Sequence, residues 1–320
     1  MTGSDAQNDS QGKTAHPVAG GQIPGAPGMP AFVMAGTKPS AIPILIAAPH
    51  GGRAYTRALL QDLRFPESVL IRLEDRYVDR LARGVAAATG AALLLANAPR
   101  ALIDLNRAPE DIDWDMFERD ARPHGGPIVA SRRARSGLGL IPRRLPGMGE
   151  LWRRRHTRDD LESRLAHVHA PYHTALGDCL QSLRDRWGAA LLIDLHSMPP
   201  ISTRPGTSPP QIVLGDRFGA ACHGSLVATA FAHFAQVGRE AAHNRPYAGG
   251  YVLERHADPR RGIHAIQIEV DRTRYLDERM IDPGAGMDAV IDDLAALVRR
   301  LAGVVAELGQ ERGNWPIAAE

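Results

Sequence analysis

Short apolar runs alternate along this chain with longer segments of helical periodicity. The runs at 31–36, 42–48, 91–97, 189–195, 211–216 and 265–272, and a weaker one at 101–107, have the length of strands. Between them, apolar residues recur every three or four positions over 68–88, 158–187, 225–236 and 287–308. This alternation predicts an α/β fold, a mixed and mostly parallel sheet flanked by helices.

The domain organisation follows from where the pattern is missing. Residues 1–30 are rich in Gly, Pro, Ser, Gln and Ala without apolar periodicity, which predicts a disordered or loosely packed extension. No Gly/Ser/Pro-rich linker divides the chain after residue 40, so we expect a single domain over 31–320. The irregular stretch 108–156 is predicted to cover the ligand end of the sheet. Gly90 should end the helix predicted over 68–88. Pro171 should kink or divide the helix predicted over 158–187.

Composition and net charge limit the classes of partner that we expect for this protein. Hydrophobic residues make up 44% of the chain, enough for a large core, and the net charge of +2 gives little support to nucleic acid or membrane as a partner. We expect no membrane span, since no apolar run reaches about 18 residues. The two cysteines and the lack of a secretory signal pattern predict a cytoplasmic protein.

Three polar residues stand out because they end or interrupt apolar strands. His50 follows the run at 42–48, His196 follows 189–195, and Glu269 lies between Ile268 and Val270. Parallel strands present their carboxyl ends to the ligand. Two imidazoles and a carboxylate are the ligands of a catalytic zinc, so we predict one zinc ion held by His50 and His196. Glu269 would serve as general base, the alternative being an ion pair with an arginine such as Arg272.

We expect the third metal ligand to be an acidic residue on the predicted helix after His50. Glu74, Asp75 and Asp79 are the candidates, and ordinary helix surface charge is the alternative for all three. Asp75 and Asp79 lie one turn apart on a helix, whereas Glu74 points about 100° away from Asp75. We select Asp75.

Substrate binding is predicted from two further segments. On a strand over 101–107, Asn106 would share a face with Asp104, and Arg107 at its end would turn inward to bind a carboxylate. The glycine pair at 249–250 lacks the Lys and Ser/Thr of a phosphate-binding loop. We expect a substrate loop there that uses Arg245 or Tyr247.

Several blocks together resemble the N-formylglutamate amidohydrolase family over roughly 40–280. They read PHGGRAY, LEDRYVDRL, IDLNR, PYHTAL, LIDLHSMPP, IVLGDRFG, NRPYAGGYV and GIHAIQIEVDR. The resemblance implies a zinc-carboxypeptidase-like (phosphorylase/hydrolase-like) fold. It also implies zinc ligation by His50, His196 and an acid within LEDRYVD, a catalytic Glu269, and a substrate carboxylate on Asn106 and Arg107. Arg245 departs from the pattern, because many relatives carry an acidic residue in that loop.

The resulting hypothesis is an enzyme acting on a small N-acyl amino acid. By resemblance this is N-formyl-L-glutamate, whose amide bond would be hydrolysed to formate and L-glutamate, with Arg100 helping to stabilise the oxyanion. One alternative is a carboxypeptidase or cell-wall peptide amidase of the same fold. A second is a binding protein that has kept the fold without catalysis. The sequence leaves the oligomeric state open.

Overall fold

The computed structural model describes residues 14–37, 40–122, 132–145, 147–202, 206 and 208–313. A single eight-stranded sheet runs through this part of the chain in the order β1-β2-β4-β3-β5-β8-β6-β7. Its strands are β1 (Thr14–Gly20), β2 (Phe32–Thr37), β3 (Ile44–Ala48), β4 (Ala92–Ala96), β5 (Ala190–Met198), β6 (Ile212–Gly215), β7 (Ala241–His243) and β8 (Ile263–Asp271).

The centre of the sheet is parallel and its two sides are mixed. Strands β4, β3, β5 and β8 run parallel to one another, while β2 pairs antiparallel to β4 and β6 antiparallel to β8. Every residue of β3, β4 and β5 is buried, which explains why these strands are near-continuous apolar runs in the sequence. The predicted fold class, a mixed and mostly parallel α/β sheet flanked by helices, is confirmed.

Helices cover both faces of the sheet. They are α1 (Arg57–Gln61), α2 (Val78–Thr89), α3 (Arg132–Arg135), α4 (Arg158–Arg164), α5 (Ala170–Trp187), α6 (Gly224–Gln236), α7 (Tyr251–His256) and α8 (Met287–Gly313). Helices α2, α6 and α8 pack on one face, and α5 packs on the other together with much of the irregular chain before it. Gly90 ends α2 with a φ of 75°, as predicted. Among the described residues, no helix combines the length and apolarity needed to span a bilayer.

The single helix predicted over 68–88 is wrong. The chain instead forms a 3₁₀ helix, Glu67–Leu73, leaves helical geometry at Glu74, and begins α2 only after Tyr77, whose φ is 57°. The backbone N–H of Asp75 donates to the carbonyl of His50, a bond that a continuous helix would not permit. Apolar spacing persists across this break because both helical pieces pack on the core. The sequence pattern therefore does not show the break.

The strand predicted over 101–107 is also wrong. The segment is an irregular loop in which the backbone N–H of Asn106 donates to Asp104 Oδ1, and that of Arg107 donates to the Asp104 carbonyl. Aspartate competes with strand pairing by forming such local turns. All seven residues are buried, and the alternation arises because the apolar side chains pack in the core while the polar ones form hydrogen bonds.

The chain before β2 is more ordered than predicted. Thr14–Gly20 form the edge strand β1 on β2, and Ile23 is fully buried, so residues 14–30 are not a loosely packed extension. An edge strand held by backbone hydrogen bonds needs no apolar periodicity. Residues 1–13 lie outside the described part of the chain. Strand β7 and helix α7 were also not predicted, since each spans only three to six residues.

The long helix predicted over 158–187 is confirmed, with an interruption. Thr157 and Asp160 form a capping box at its start. Between α4 and α5 lies one π turn, Leu165–His169, which ends two residues before Pro171. Proline lacks the N–H of a regular helical bond and commonly marks such irregularities.

Candidate metal and catalytic site

The site is assembled on one face of the two central strands. Adjacent residues of β5 and β8 point to opposite faces, so Asp194 and His196 share a face, as do Gln267 and Glu269. The register places His196 directly beside Glu269, and Asp194 beside Gln267. This is the face covered by α5, whereas Leu195 and Ile268 point into the core under α2, α6 and α8.

His50, Asp75 and His196 form a buried group that could hold a metal ion. One ligand atom from each lies within 4.8 Å of the others. His196 Nδ1 is 2.8 Å from Asp75 Oδ2, and His50 Nδ1 is 3.5 Å from the same oxygen. The structure therefore brings together the two histidines and the acid selected from the sequence.

The other two acidic candidates have different partners. Glu74 accepts hydrogen bonds from the Tyr55 hydroxyl and from Arg76. Asp79 is engaged in a two-bond ion pair with Arg53. The break in the helix, rather than helical spacing, separates Asp75 from these neighbours and turns it toward the histidines.

The donor chemistry of the group fits a divalent metal. His50 Nε2 lies 2.7 Å from Asp104 Oδ1, and His196 Nε2 lies 3.0 Å from Asp194 Oδ2. A carboxylate at Nε2 fixes the proton on that nitrogen and leaves the Nδ1 lone pair for a metal. Both Nδ1 atoms face Asp75, so three donors converge on one point. The other oxygen of Asp194 is fully buried without a hydrogen-bond partner among the described residues.

The electrostatics of the group also favour a cation. Burial alone would raise the pKa of Asp75, but hydrogen bonds to His196 and His50 lower it well below its usual value. Burial would lower the pKa of His196, yet Asp194 and Asp75 raise it well above its ordinary value. Arg272, the alternative partner considered for Glu269, instead donates to Asp75 Oδ1 at 3.3 Å and to Ser197.

Glu269 lies beside this group and is held by one neighbour. Gln267 Nε2 donates to Glu269 Oε1 at 2.8 Å, and Gln267 Oε1 accepts from the backbone N–H of Gly250. Burial raises the pKa of Glu269 to about 7, with His196 opposing and Asp75 reinforcing the shift. A carboxylate poised near neutrality can accept a proton and return it.

The loop over 100–107 contributes three side chains to the same cavity. Arg100 pairs with Asp104 at 2.8 Å, and Asn106 Nδ2 lies 3.3 Å from His196 Nε2. Asn106 Oδ1 accepts from the backbone N–H of Val252. Burial lowers the pKa of the Arg107 guanidinium, although Asp104 opposes the effect. A partly buried cation of this kind favours an anionic ligand.

These groups open onto a cavity of about 210 Å³. Tyr247 lines it, and burial raises the pKa of its hydroxyl, which therefore stays protonated as a hydrogen-bond donor. Arg245 is exposed and is not among the described residues that line the cavity, contrary to the prediction. Asn244, bonded through its side chain to Asp216, fixes the preceding backbone. Among the residues that the structure describes, five arginines contribute to the lining: Arg72, Arg100, Arg107, Arg133 and Arg272.

Comparison with known proteins identifies the family. The sequence profile of N-formylglutamate amidohydrolases matches residues 42–276, a span that contains every strand from β3 to β8. The chain belongs to the N-formylglutamate amidohydrolase family. The resemblance inferred from the sequence blocks is thereby confirmed.

Relatives of known name support this assignment. The chain is 28% identical over 277 residues to an N-formylglutamate deformylase of Pseudomonas aeruginosa, covering 85% of this chain and 95% of that protein. It is 26% identical to the deformylase of Pseudomonas putida over 283 residues, with the same coverage. The crystal structure of N-formylglutamate amidohydrolase from Ralstonia eutropha JMP134 superposes with a TM-score of 0.78 at 29% identity, covering 87% of this chain and 99% of that one.

Within this family framework, several residues of the site were not predicted as contributors. Asp194 and Gln267 lie two positions before His196 and Glu269, so strand alternation alone could have placed them on the same face. Arg72 and Arg133 had no such signal, because each lies on a short helical segment among many surface arginines.

Proposed function

We propose that this protein is a zinc-dependent hydrolase that cleaves N-formyl-L-glutamate into formate and L-glutamate. The observation that carries the proposal is the buried His50, Asp75 and His196 group with Glu269 directly beside it on the neighbouring strand. The names of the Pseudomonas relatives support the substrate.

The metal would be held by the three converging donors. Asp104 and Asp194 would orient the two imidazoles through their Nε2 atoms. A zinc ion in this position supplies Lewis acidity, which makes water more acidic and stabilises negative charge on a carbonyl oxygen. Two nitrogens and one carboxylate oxygen are a donor set that leaves room for water or substrate.

Glu269 would move the proton. Its carboxylate accepts a proton from the water that attacks the formyl carbon and then donates it to the amide nitrogen, which leaves as the amine of glutamate. Gln267 holds one carboxylate oxygen during both transfers. Arg100, whose second role is the ion pair with Asp104, lies on the cavity wall where it can stabilise negative charge on the formyl oxygen.

The arginines of the cavity would select a dianionic substrate. Arg272 and Arg100 are paired with Asp75 and Asp104, so part of their charge is already compensated. Arg107 is held by the carbonyls of Leu138 and Asn106, and its Nε lies 3.9 Å from Asp104 and 3.8 Å from Asp111, longer contacts than the 2.8 Å pair of Arg100 with Asp104. We assign a substrate carboxylate to Arg107, with Tyr247 as a neutral hydrogen-bond donor from the facing loop.

The direct test is a substrate profile of the purified protein reconstituted with zinc. We expect formate release from N-formyl-L-glutamate, loss of at least about 100-fold in kcat for Glu269→Gln, and near-stoichiometric zinc in that variant. N-formyl-L-alanine, N-acetyl-L-glutamate and a cell-wall tetrapeptide are assayed as alternative substrates. Release of amino acids from the peptide without deformylation would favour the peptidase alternative. Less than a tenth of an equivalent of zinc would favour a binding protein.

A further inference from the structure

One face of the α4–α5 helix holds the loop that carries Asp104, Asn106 and Arg107. Three side chains on this face meet three carbonyl oxygens of that loop, and each can donate a hydrogen bond to its partner. The contacts are Arg164 Nη1 to Leu102 O at 2.9 Å, His173 Nε2 to Leu105 O at 3.0 Å, and His169 Nε2 to Arg107 O at 2.9 Å. An irregular buried loop cannot satisfy all of its own carbonyls, so the remaining ones depend on such donors.

The π turn sets the register of these donors. In a regular α-helix, five residues would rotate His169 about 140° away from Arg164. The backbone N–H of Ala170 instead donates to the carbonyl of Leu165, the five-residue spacing of a π turn. This brings Arg164 and His169 to the same side, and His173 follows one α-helical turn later. Single π turns are frequent where a helix serves a functional site.

The buried histidines have a defined proton arrangement. A carbonyl only accepts, so His173 Nε2 must carry the proton that it donates to Leu105. His173 Nδ1 then accepts from His256 Nε2, 2.9 Å away. Burial lowers the pKa of His173 to about 2 and that of His256 to about 3, which keeps both rings neutral. His169 and His173 lie side by side, with ring centroids 4.4 Å apart.

We propose that His169 and His173 are positioning residues, which fix the loop that presents Asn106 and Arg107 to the substrate. The closest link is the bond from His169 to the carbonyl of Arg107 itself. Asn106 accepts a hydrogen bond from the N-terminus of α7, and its Nδ2 lies 3.3 Å from the His196 ring, so movement of this loop would reach both the substrate and the metal group. The kinetic part of the proposal rests on the function proposed above.

The test compares variants that lose or keep the donor at the Nε2 position. Glutamine reaches the place of a histidine Nε2 with an N–H group, whereas asparagine and leucine do not. His169→Leu and the milder His169→Asn are the loss variants, and His169→Gln is the rescue. His167→Gln is the matched control, because His167 lies on the same π turn with an exposed side chain.

Two readouts are measured on the full-length protein. For His169→Leu and His169→Asn we expect KM for N-formyl-L-glutamate to rise about fivefold to tenfold, the effect of one lost hydrogen bond, with kcat changed less than threefold. The amides of Asn106 and Arg107 should exchange with deuterium about tenfold faster, while the amides of β5 keep their protection. His169→Gln and His167→Gln should match the wild type in both readouts.

The outcomes separate this proposal from the proposed function. Wild-type exchange at Asn106 and Arg107 in both loss variants would overturn the positioning role, whether or not the enzyme deformylates. If the wild type does not hydrolyse N-formyl-L-glutamate, the proposed function fails. Hydrogen exchange at Asn106 and Arg107 then still tests the positioning role. If His169→Leu does not fold, the exchange of His169→Asn decides in its place. An equal rise of KM in His169→Gln would likewise overturn the proposal.

Discussion

Gln267 offers a sharp test of how the structure tunes Glu269. Its amide is oriented from both ends, since Oε1 accepts from Gly250 N–H and Nε2 donates to Glu269 Oε1 at 2.8 Å. The bond favours the ionised form of Glu269, because a carboxylate accepts this hydrogen bond better than a carboxylic acid does. Replacing Gln267 by methionine keeps the volume and removes the donor.

The expected shift follows from the size of that interaction. A hydrogen bond to a charged group is worth about 1.5 kcal/mol or more, and about 1.4 kcal/mol corresponds to one pKa unit. The pKa of Glu269 is already raised to about 7 by burial. In Gln267→Met it should lie about one unit higher than in the wild type. A bound zinc lowers both values by its positive charge, so the difference between the two proteins remains.

The assay is the pH dependence of kcat/KM for N-formyl-L-glutamate. Glu269 acts as a base when ionised, so activity should rise with pH through its pKa and reach a plateau above it. We expect a midpoint at or below about 7 for the wild type and about one unit higher for Gln267→Met. Below both midpoints the variant would be about tenfold slower, with similar plateaus. A midpoint that does not move, or a lower plateau with the same midpoint, would refute the reasoning.

Three further predictions test other parts of the site. Asp104→Asn breaks the ion pair of the buried Asp104 with the partly exposed Arg100, so we expect a loss of about 3 kcal/mol in urea unfolding and about 10-fold to 100-fold weaker zinc binding in a chelator competition. Arg107→Gln should raise KM about 10-fold or more, while the exposed Arg245→Gln leaves KM unchanged; equal effects would contradict the assignment of the carboxylate. Gly52→Ala would drive a Cβ into the carbonyl oxygen of Ala98, so we expect about 1–3 kcal/mol of destabilisation by thermal unfolding, and an unchanged Tm would contradict it.

The buried strands could be predicted from the sequence because burial on both faces makes each one an apolar run. The same rule failed where a buried segment does not form a strand. The segment 101–107 alternates like a strand, yet its carbonyls are bonded by side chains of a helix more than 50 residues away. The edge strand β1 shows the opposite case, since it pairs with β2 through its backbone and leaves no apolar signal in the sequence.

The candidate site, like the fold, could be predicted from the sequence only in part. His50, His196 and Glu269 were evident as polar residues that end or interrupt apolar strands. Asp75 was chosen from helical spacing, but the structure brings it to the histidines through a break in that helix. Arg245 was placed in the substrate loop because it precedes the glycine pair, and only the backbone around Asn244 shows that it points to solvent. Long-range contacts decide such cases, and a single sequence does not contain them.

The pairing register of β5 and β8 is what unites the metal group with the proposed base. His196 and Glu269 are cross-strand neighbours in a parallel pair that stays in register over nine residues. A slip of one residue would put Glu269 on the opposite face, among the apolar side chains that pack under α8. Ile266, Ile268 and Val270 would then face the cavity in place of Gln267 and Glu269. The apolar residues between the polar ones therefore have a second role: by burying their own face of β8, they hold the base beside the histidine.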